Sequence, residues 1–180
     1  MLKTLETAEI QLVSLEEIKT HLRLEHCEED QYLIHLIQTA TDYIENYLNR
    51  SLIIKKYMFV NQGIKRNDNF FEIRIPKPNI INIESIFIIR GNVGRFLVKR
   101  YQLQDSDISP KLIVHKTEDE FIEIIYQAGY GYYPKNVPSP IRHSILEIVS
   151  DLYENRGTER IERSDFYKNL LKPYRVMEVV

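Results

Sequence analysis

Apolar residues recur at helical spacing through the first fifty positions and at strand spacing through the next eighty. Leu15, Ile18 and Leu22 share one side of a short helix. Ser14 with Glu17 three residues later is a capping box, which starts that helix at Leu15. Beyond the acidic turn Glu28-Glu29-Asp30, a second helix places Leu33, Ile37, Ala40, Ile44 and Tyr47-Leu48 on a single stripe. The first helix has only about two turns, too few to be stable alone in water, so it must pack on its neighbour.

From Leu52 the period changes. Phe71, Ile73 and Ile75 alternate with Glu72 and Arg74, the pattern of a half-buried strand, until Pro76 and Pro78 end it. Ile80 to Arg90 forms another strand. The Gly91-Asn92-Val93-Gly94 turn sends residues Arg95 to Tyr101 back as a hairpin. Lys111 to His115 and Glu120 to Tyr126 are expected to form a second hairpin around Thr117-Glu118-Asp119. With Ile53 to Val60 this makes roughly six strands, enough for a small antiparallel sheet or open barrel. Ser139 as N-cap and Pro140 at the first helical position open a third helix. Its core stripe is Ile141, Ile145, Ile148-Val149 and Leu152, and Gly157 ends it. A fourth short helix restarts at Ser164-Asp165 and stops at Pro173, leaving a mobile tail from Tyr174 to Val180. The class is α+β: an N-terminal helical pair and C-terminal helices packed on a central antiparallel β-sheet or small open barrel. One domain spans 1–180, helical over 1–50, β-rich over 51–133 and helical again over 134–180.

The whole chain has a formal net charge of −2, which gives no support to bulk DNA binding. Residues 1–50 hold four Lys or Arg against ten Asp or Glu, and residues 51–140 hold thirteen against nine. Such an imbalance suits a solvated surface, or acidic and basic faces of neighbouring copies meeting head-to-tail. The basic middle also leaves open a small nucleic-acid-binding module. There is no apolar run long enough for a membrane span and no secretory leader. The single cysteine, Cys27, excludes an intramolecular disulfide framework and fits synthesis in a reducing cytoplasm.

Catalytic signatures do not appear: neither a phosphate-binding glycine loop nor a nucleophile elbow occurs. His21, His26 and His35 with Glu25, Glu28, Glu29 and Asp30 lack the spacing of a metal site, and the acidic run suits the positive end of a helix. Asp105 and Asp107 read as turn formers. Tyr126, Tyr130, Tyr132 and Tyr133, with only Lys135 nearby, favour packing or a protein interface over nucleic-acid stacking. No catalytic, metal or cofactor-binding residue is assigned, and the chain is read as non-enzymatic.

The order of residues carries more. Val13-Ser14-Leu15-Glu16-Glu17-Ile18-Lys19, His21-Leu22-Arg23-Leu24, Asp30 and the stripe of the second helix resemble the head–tail connector (adaptor) proteins of tailed bacteriophages and prophages. Val137-Pro138, Ile141, Ile145-Leu146, Tyr153-Glu154-Asn155-Arg156 and Leu170-Leu171-Lys172-Pro173-Tyr174-Arg175 are similar to that family's C-terminal helices. The middle is touched only at Ile75-Pro76-Lys77-Pro78 and Tyr126-Gln127-Ala128-Gly129-Tyr130. The resemblance implies a virion protein of the head–tail junction, made in the bacterial host cytoplasm, with no cofactor. It further implies a homo-oligomeric ring of about a dozen copies below the portal protein. That ring would extend the DNA channel, pass DNA without sequence readout, and meet a tail-side stopper or completion protein. The C-terminal segment becomes a docking arm for the portal, with Leu170, Leu171, Tyr174 and Arg175 as candidate interface residues.

Overall fold

The computed structural model describes all residues except 9, 68–69, 92, 107, 117–119, 157–163 and 177–180, and gives only the backbone of 66, 67, 164 and 165. The chain divides into two compact units. One is a β unit of Met1–Ala8 and Ile53–Tyr130, and the other a helical unit of Glu9–Leu52 and Gly131–Val180.

Among the described residues the β unit contains nine antiparallel strands: β1 (Leu2–Thr7), β2 (Lys55–Asn61), β3 (Ile64–Asn67), β4 (Phe70–Arg74), β5 (Ile80–Arg90), β6 (Gly94–Leu97), β7 (Gln102–Gln104), β8 (Lys111–His115) and β9 (Phe121–Ala128). They form a five-stranded sheet in the order β1-β2-β9-β5-β6 and a four-stranded sheet in the order β3-β4-β8-β7. Register explains the core. Tyr57 lies opposite Tyr126, Phe59 opposite Ile124 and Ile88 opposite Ile122 in the larger sheet. Phe71 lies opposite Val114 and Ile73 opposite Leu112 in the smaller one. These alternating faces join one buried cluster, so each sheet supplies the apolar cover of the other. Each buried isoleucine contributes roughly 1.5–3 kcal/mol relative to exposure. Tyr126 keeps its hydroxyl satisfied by donating to the Pro76 carbonyl at 2.6 Å, and burial pushes its ionisation well up.

Two strand expectations change. Lys111–His115 and the strand from Phe121 do not pair as a hairpin. β8 joins β4 and β7, whereas β9 sits centrally between β2 and β5. The apolar residues of β9 include Ile125 as well as Ile122, Ile124 and Tyr126, which suits a central position with two partners. The Thr117-Glu118-Asp119 turn lies outside the described residues, as does Asn92. The β5–β6 hairpin forms as expected, with Val93 N–H donating to the Arg90 carbonyl at 2.7 Å. β1, β3 and β7 add to the six expected strands. β1 is exposed at every position, so it shows no inward alternation to read. Gly129 is required where it stands: φ is +148°, and a Cβ there would come within 2.5 Å of the Ile53 carbonyl oxygen.

The helical unit contains α1 (Leu15–Leu22), α2 (Asp30–Leu48), α3 (Ser139–Glu154) and α4 (Ser164–Leu171) among the described residues. The capping box is formed: Glu17 N–H donates to Ser14 Oγ at 3.1 Å, and Ser14 N–H to Glu17 Oε2 at 2.8 Å. Leu33, Ile37, Ala40, Ile44 and Leu48 are all buried, together with Leu36. α3 begins one residue earlier than expected, with Pro138 rather than Ser139 at its cap and no side-chain cap bond. Pro140 lacks an N–H, which leaves fewer donors to satisfy there. Ile141, Ile145, Ile148 and Val149 are buried as expected. Leu152 is 39% exposed, because the last turn of α3 has left the core. Gly157 lies outside the described residues.

Candidate partner interface

The C-terminal arm consists of α4, a 3-10 turn over Lys172–Tyr174 with Pro173 in its first positions, and residues 175–176. Helical geometry gives α4 two faces. Tyr167 and Leu171 lie four residues apart, with Leu171 fully buried and Tyr167 meeting Tyr43 of α2 edge-on at 6.4 Å between ring centroids. Phe166 and Leu170 lie on a second face; Phe166 is 59% exposed and Leu170 half-buried.

The arm is tied to the end of α2. Leu48 closes that helix, and its carbonyl has no partner within the helix ladder. Val176 N–H supplies one at 2.9 Å. Asn49 turns the chain through the left-handed region with φ 53°. Arg50, now buried, donates from Nε to the Tyr174 carbonyl at 2.6 Å. The Arg175 guanidinium stands 4.9 Å from the Tyr47 ring centroid.

The four candidate residues therefore separate. Leu171 is fully buried in the chain's own core. Leu170 and Tyr174 are half-buried and Arg175 is exposed, so these three present surface. The tail expected to be mobile is held through Val176, and residues 177–180 lie outside the described residues. Sequence reasoning missed Phe166, which is 59% exposed. A helical wheel of α4 alone would have separated Phe166 from Leu171.

The acidic turn also has structural partners. Glu29 accepts from the Tyr153 hydroxyl and, at 2.5 Å, from Arg156. The Arg156 guanidinium lies 4.4 Å from the Tyr32 ring centroid and 4.7 Å from that of Tyr153. The Tyr153 hydrogen bond, then Arg156, hold the Glu29 carboxyl below its ordinary range, and the same bond raises the Tyr153 hydroxyl. Lys19 bonds Asp30 at 2.9 Å, which raises the ammonium's ionisation. No group of three or more His, Cys, Asp or Glu among the described residues is placed to hold a metal ion. Cys27 is exposed, with its sulfur 3.5 Å from Lys19 Nζ. Asp105 accepts from Ser106 N–H at 3.0 Å as a turn residue would, and Asp107 lies outside the described residues. No described helix is long and apolar enough to cross a membrane.

Comparison with known proteins adds a partial sequence likeness and a likeness of fold. No curated protein matches the chain in sequence. Residues 12–84 match the phage gp6-like head-tail connector protein family, a segment that runs from the residues before α1 into β5. Among solved structures, a chain in the neck of an empty GTA particle computed with C6 symmetry matches with a TM-score of 0.81 and 18% identity, covering 100% of this chain and 97% of that one. A chain in the virion of a native gene transfer agent (GTA) particle matches with a TM-score of 0.81 and 17% identity, over the same shares. A chain in the neck of a native GTA particle computed with C12 symmetry matches at 0.78 and 16%, again over 100% and 97%. Over residues 12–84 this chain thus has the sequence pattern of the phage gp6-like head–tail connector family, and over its full length it has the fold of a chain from a GTA particle.

Proposed function

We propose that this protein is a structural head–tail connector, assembled as a ring at the head–tail junction of a virion. The observation that carries the reading is the agreement of two independent comparisons: the connector-family match over residues 12–84, and the full-length fold likeness to a chain in a GTA neck. The C6 and C12 symmetries of those necks support a closed ring of identical copies, in which each copy offers two different surfaces to its neighbours. The ring extends the DNA channel and lets DNA pass without sequence readout. Few cations on its wall would favour passage, since many phosphate contacts would hold the DNA.

The portal protein is the head-side partner in this reading, and the exposed part of the arm is the docking surface. Phe166, Leu170, Tyr174 and Arg175 combine aromatic, aliphatic and guanidinium groups, the residue types that anchor protein interfaces. A tail-side stopper or completion protein occupies the opposite end of the ring. Assembly proceeds by interface burial with no bond made or broken. The test is genetic and structural. Particles made without this protein should accumulate as heads that lack tails or lose their DNA, visible by electron microscopy. Normal numbers of tailed, DNA-filled particles would remove the connector role.

A further inference from the structure

The ion pairs inside each unit leave opposite charges over. Thirteen Lys or Arg stand against ten Asp or Glu in the β unit, and eleven against sixteen in the helical unit. Among the described residues, Lys99 and Arg100, on the connection after β6, make no ion pair or hydrogen bond. They are exposed, and two exposed apolar side chains flank them, Leu97 at 56% and Tyr101 at 45%. In the helical unit, Glu16, Glu25 and Glu28 are likewise exposed and unpaired among the described residues. Glu16 and Glu25 line a groove of about 690 Å³ between α1 and the turn that follows it, and Leu15 and Leu24 supply apolar wall. Two cations also line that groove: Lys19, which is paired with Asp30, and exposed Arg23, so the three unpaired carboxylates leave its rim net negative.

We infer that the Leu97–Tyr101 segment of one copy docks in the α1–turn groove of a second copy, its two cations meeting Glu16, Glu25 and Glu28. The inference rests on the ring reading and deepens it by naming the contact between copies. The two surfaces are different patches of the same chain, and such a heterologous pairing is what propagates around a ring. Their charges are complementary and each is flanked by apolar surface, which fixes register and steers encounter. An isologous dimer would need a self-complementary patch, and neither of these is one. Moderate salt should weaken the contact, because the charges are solvent-exposed.

Cys27, exposed between Glu25 and Glu28, gives a direct test. In the full chain a Tyr101→Cys change sets a second thiol on the docking segment while keeping both cations. Mild oxidation under ring-forming conditions, with portal present if rings require it, should yield a ladder of disulfide-linked multimers. The ladder should vanish when Cys27→Ser is added. An intrachain bridge, a ladder that survives Cys27→Ser, or intact rings with no cross-link would each overturn the inference while leaving the ring reading in place. A wild-type chain that stays monomeric with portal present would remove both. Charge reversal provides a second readout. Lys99→Glu with Arg100→Glu should raise the concentration needed for assembly at least about tenfold, and adding Glu25→Lys with Glu28→Lys should restore it. Unchanged assembly in the first variant would contradict the contact.

Discussion

The two units are held by different means. In the β unit two apolar sheet faces close on each other, and residues far apart in sequence, such as Tyr57 and Tyr126, are fixed by register. In the helical unit a three-helix apolar stripe forms the centre, but the outer pieces are fastened by a few polar contacts. Arg50 and Val176 secure the C-terminal arm, and Glu29 secures the end of α3. Arg142 secures the start of α1, donating to the Leu12 carbonyl at 3.2 Å and to Glu17 at 2.6 Å. Burial spreads stability over many side chains, whereas a polar fastening concentrates it in one. The helical unit is thus the part in which a single substitution of a polar side chain can release a segment while the core survives.

Substitutions test this difference between the units. Ile124→Ala removes a fully buried side chain shared by both sheets and should cost about 2–5 kcal/mol in denaturant unfolding. A loss below about 1 kcal/mol would mean the sheets are not packed as described. Leu171→Asp and Leu170→Asp make a paired test, because one residue is buried and the other is not. The first should unfold α4 by burying an unpaired charge, while the second should change stability by less than about 1 kcal/mol and weaken portal binding. Equal effects of the two on stability would contradict the two-faced arm. Arg50→Ala should cost roughly 1–3 kcal/mol locally, read as faster hydrogen exchange at the Val176 amide with β9 amides unaffected. Ser14→Ala should cost about 1 kcal/mol through loss of the capping box.

The smallest expected effect is a pH dependence. The folded-state ionisation of Glu29 is lowered, so its pairing stabilises the helical unit above the ordinary carboxylate range. That contribution is lost as pH falls through the depressed folded value. Glu29→Gln should flatten the acid limb of the stability curve. Because the group is largely solvated, the change should be modest, and an unchanged limb would show that the clasp with Tyr153 and Arg156 adds nothing.

Legibility in the sequence followed the same contrast. The stripe of α2 and the capping box of α1 were readable because period and cap chemistry are local. So was the alternation of Phe71, Ile73 and Ile75. The partner of a strand is not local: nothing in the alternation of Lys111–His115 says that it joins β4 and β7 rather than the following strand. Edge strand β1 could not be read because no residue of it turns inward. At the arm, the sequence marked a segment but not its sides. Leu170 and Leu171 are equivalent as letters, and only the packing of α4 against α3 separates a surface residue from a core one. Arg50 closes the second-helix pattern in the sequence, but its partner could not be read, since the carbonyl it bonds lies 124 residues away.

The central claim is that identical copies close into a ring at the head–tail junction. Its most direct test is the mass of the purified full chain, by sedimentation over a wide concentration range, alone and with the cognate portal. A closed species of fixed stoichiometry is expected, at the latest once portal is present, together with its dissociation by added salt. A chain that remains monomeric and unbound when portal is saturating would contradict it.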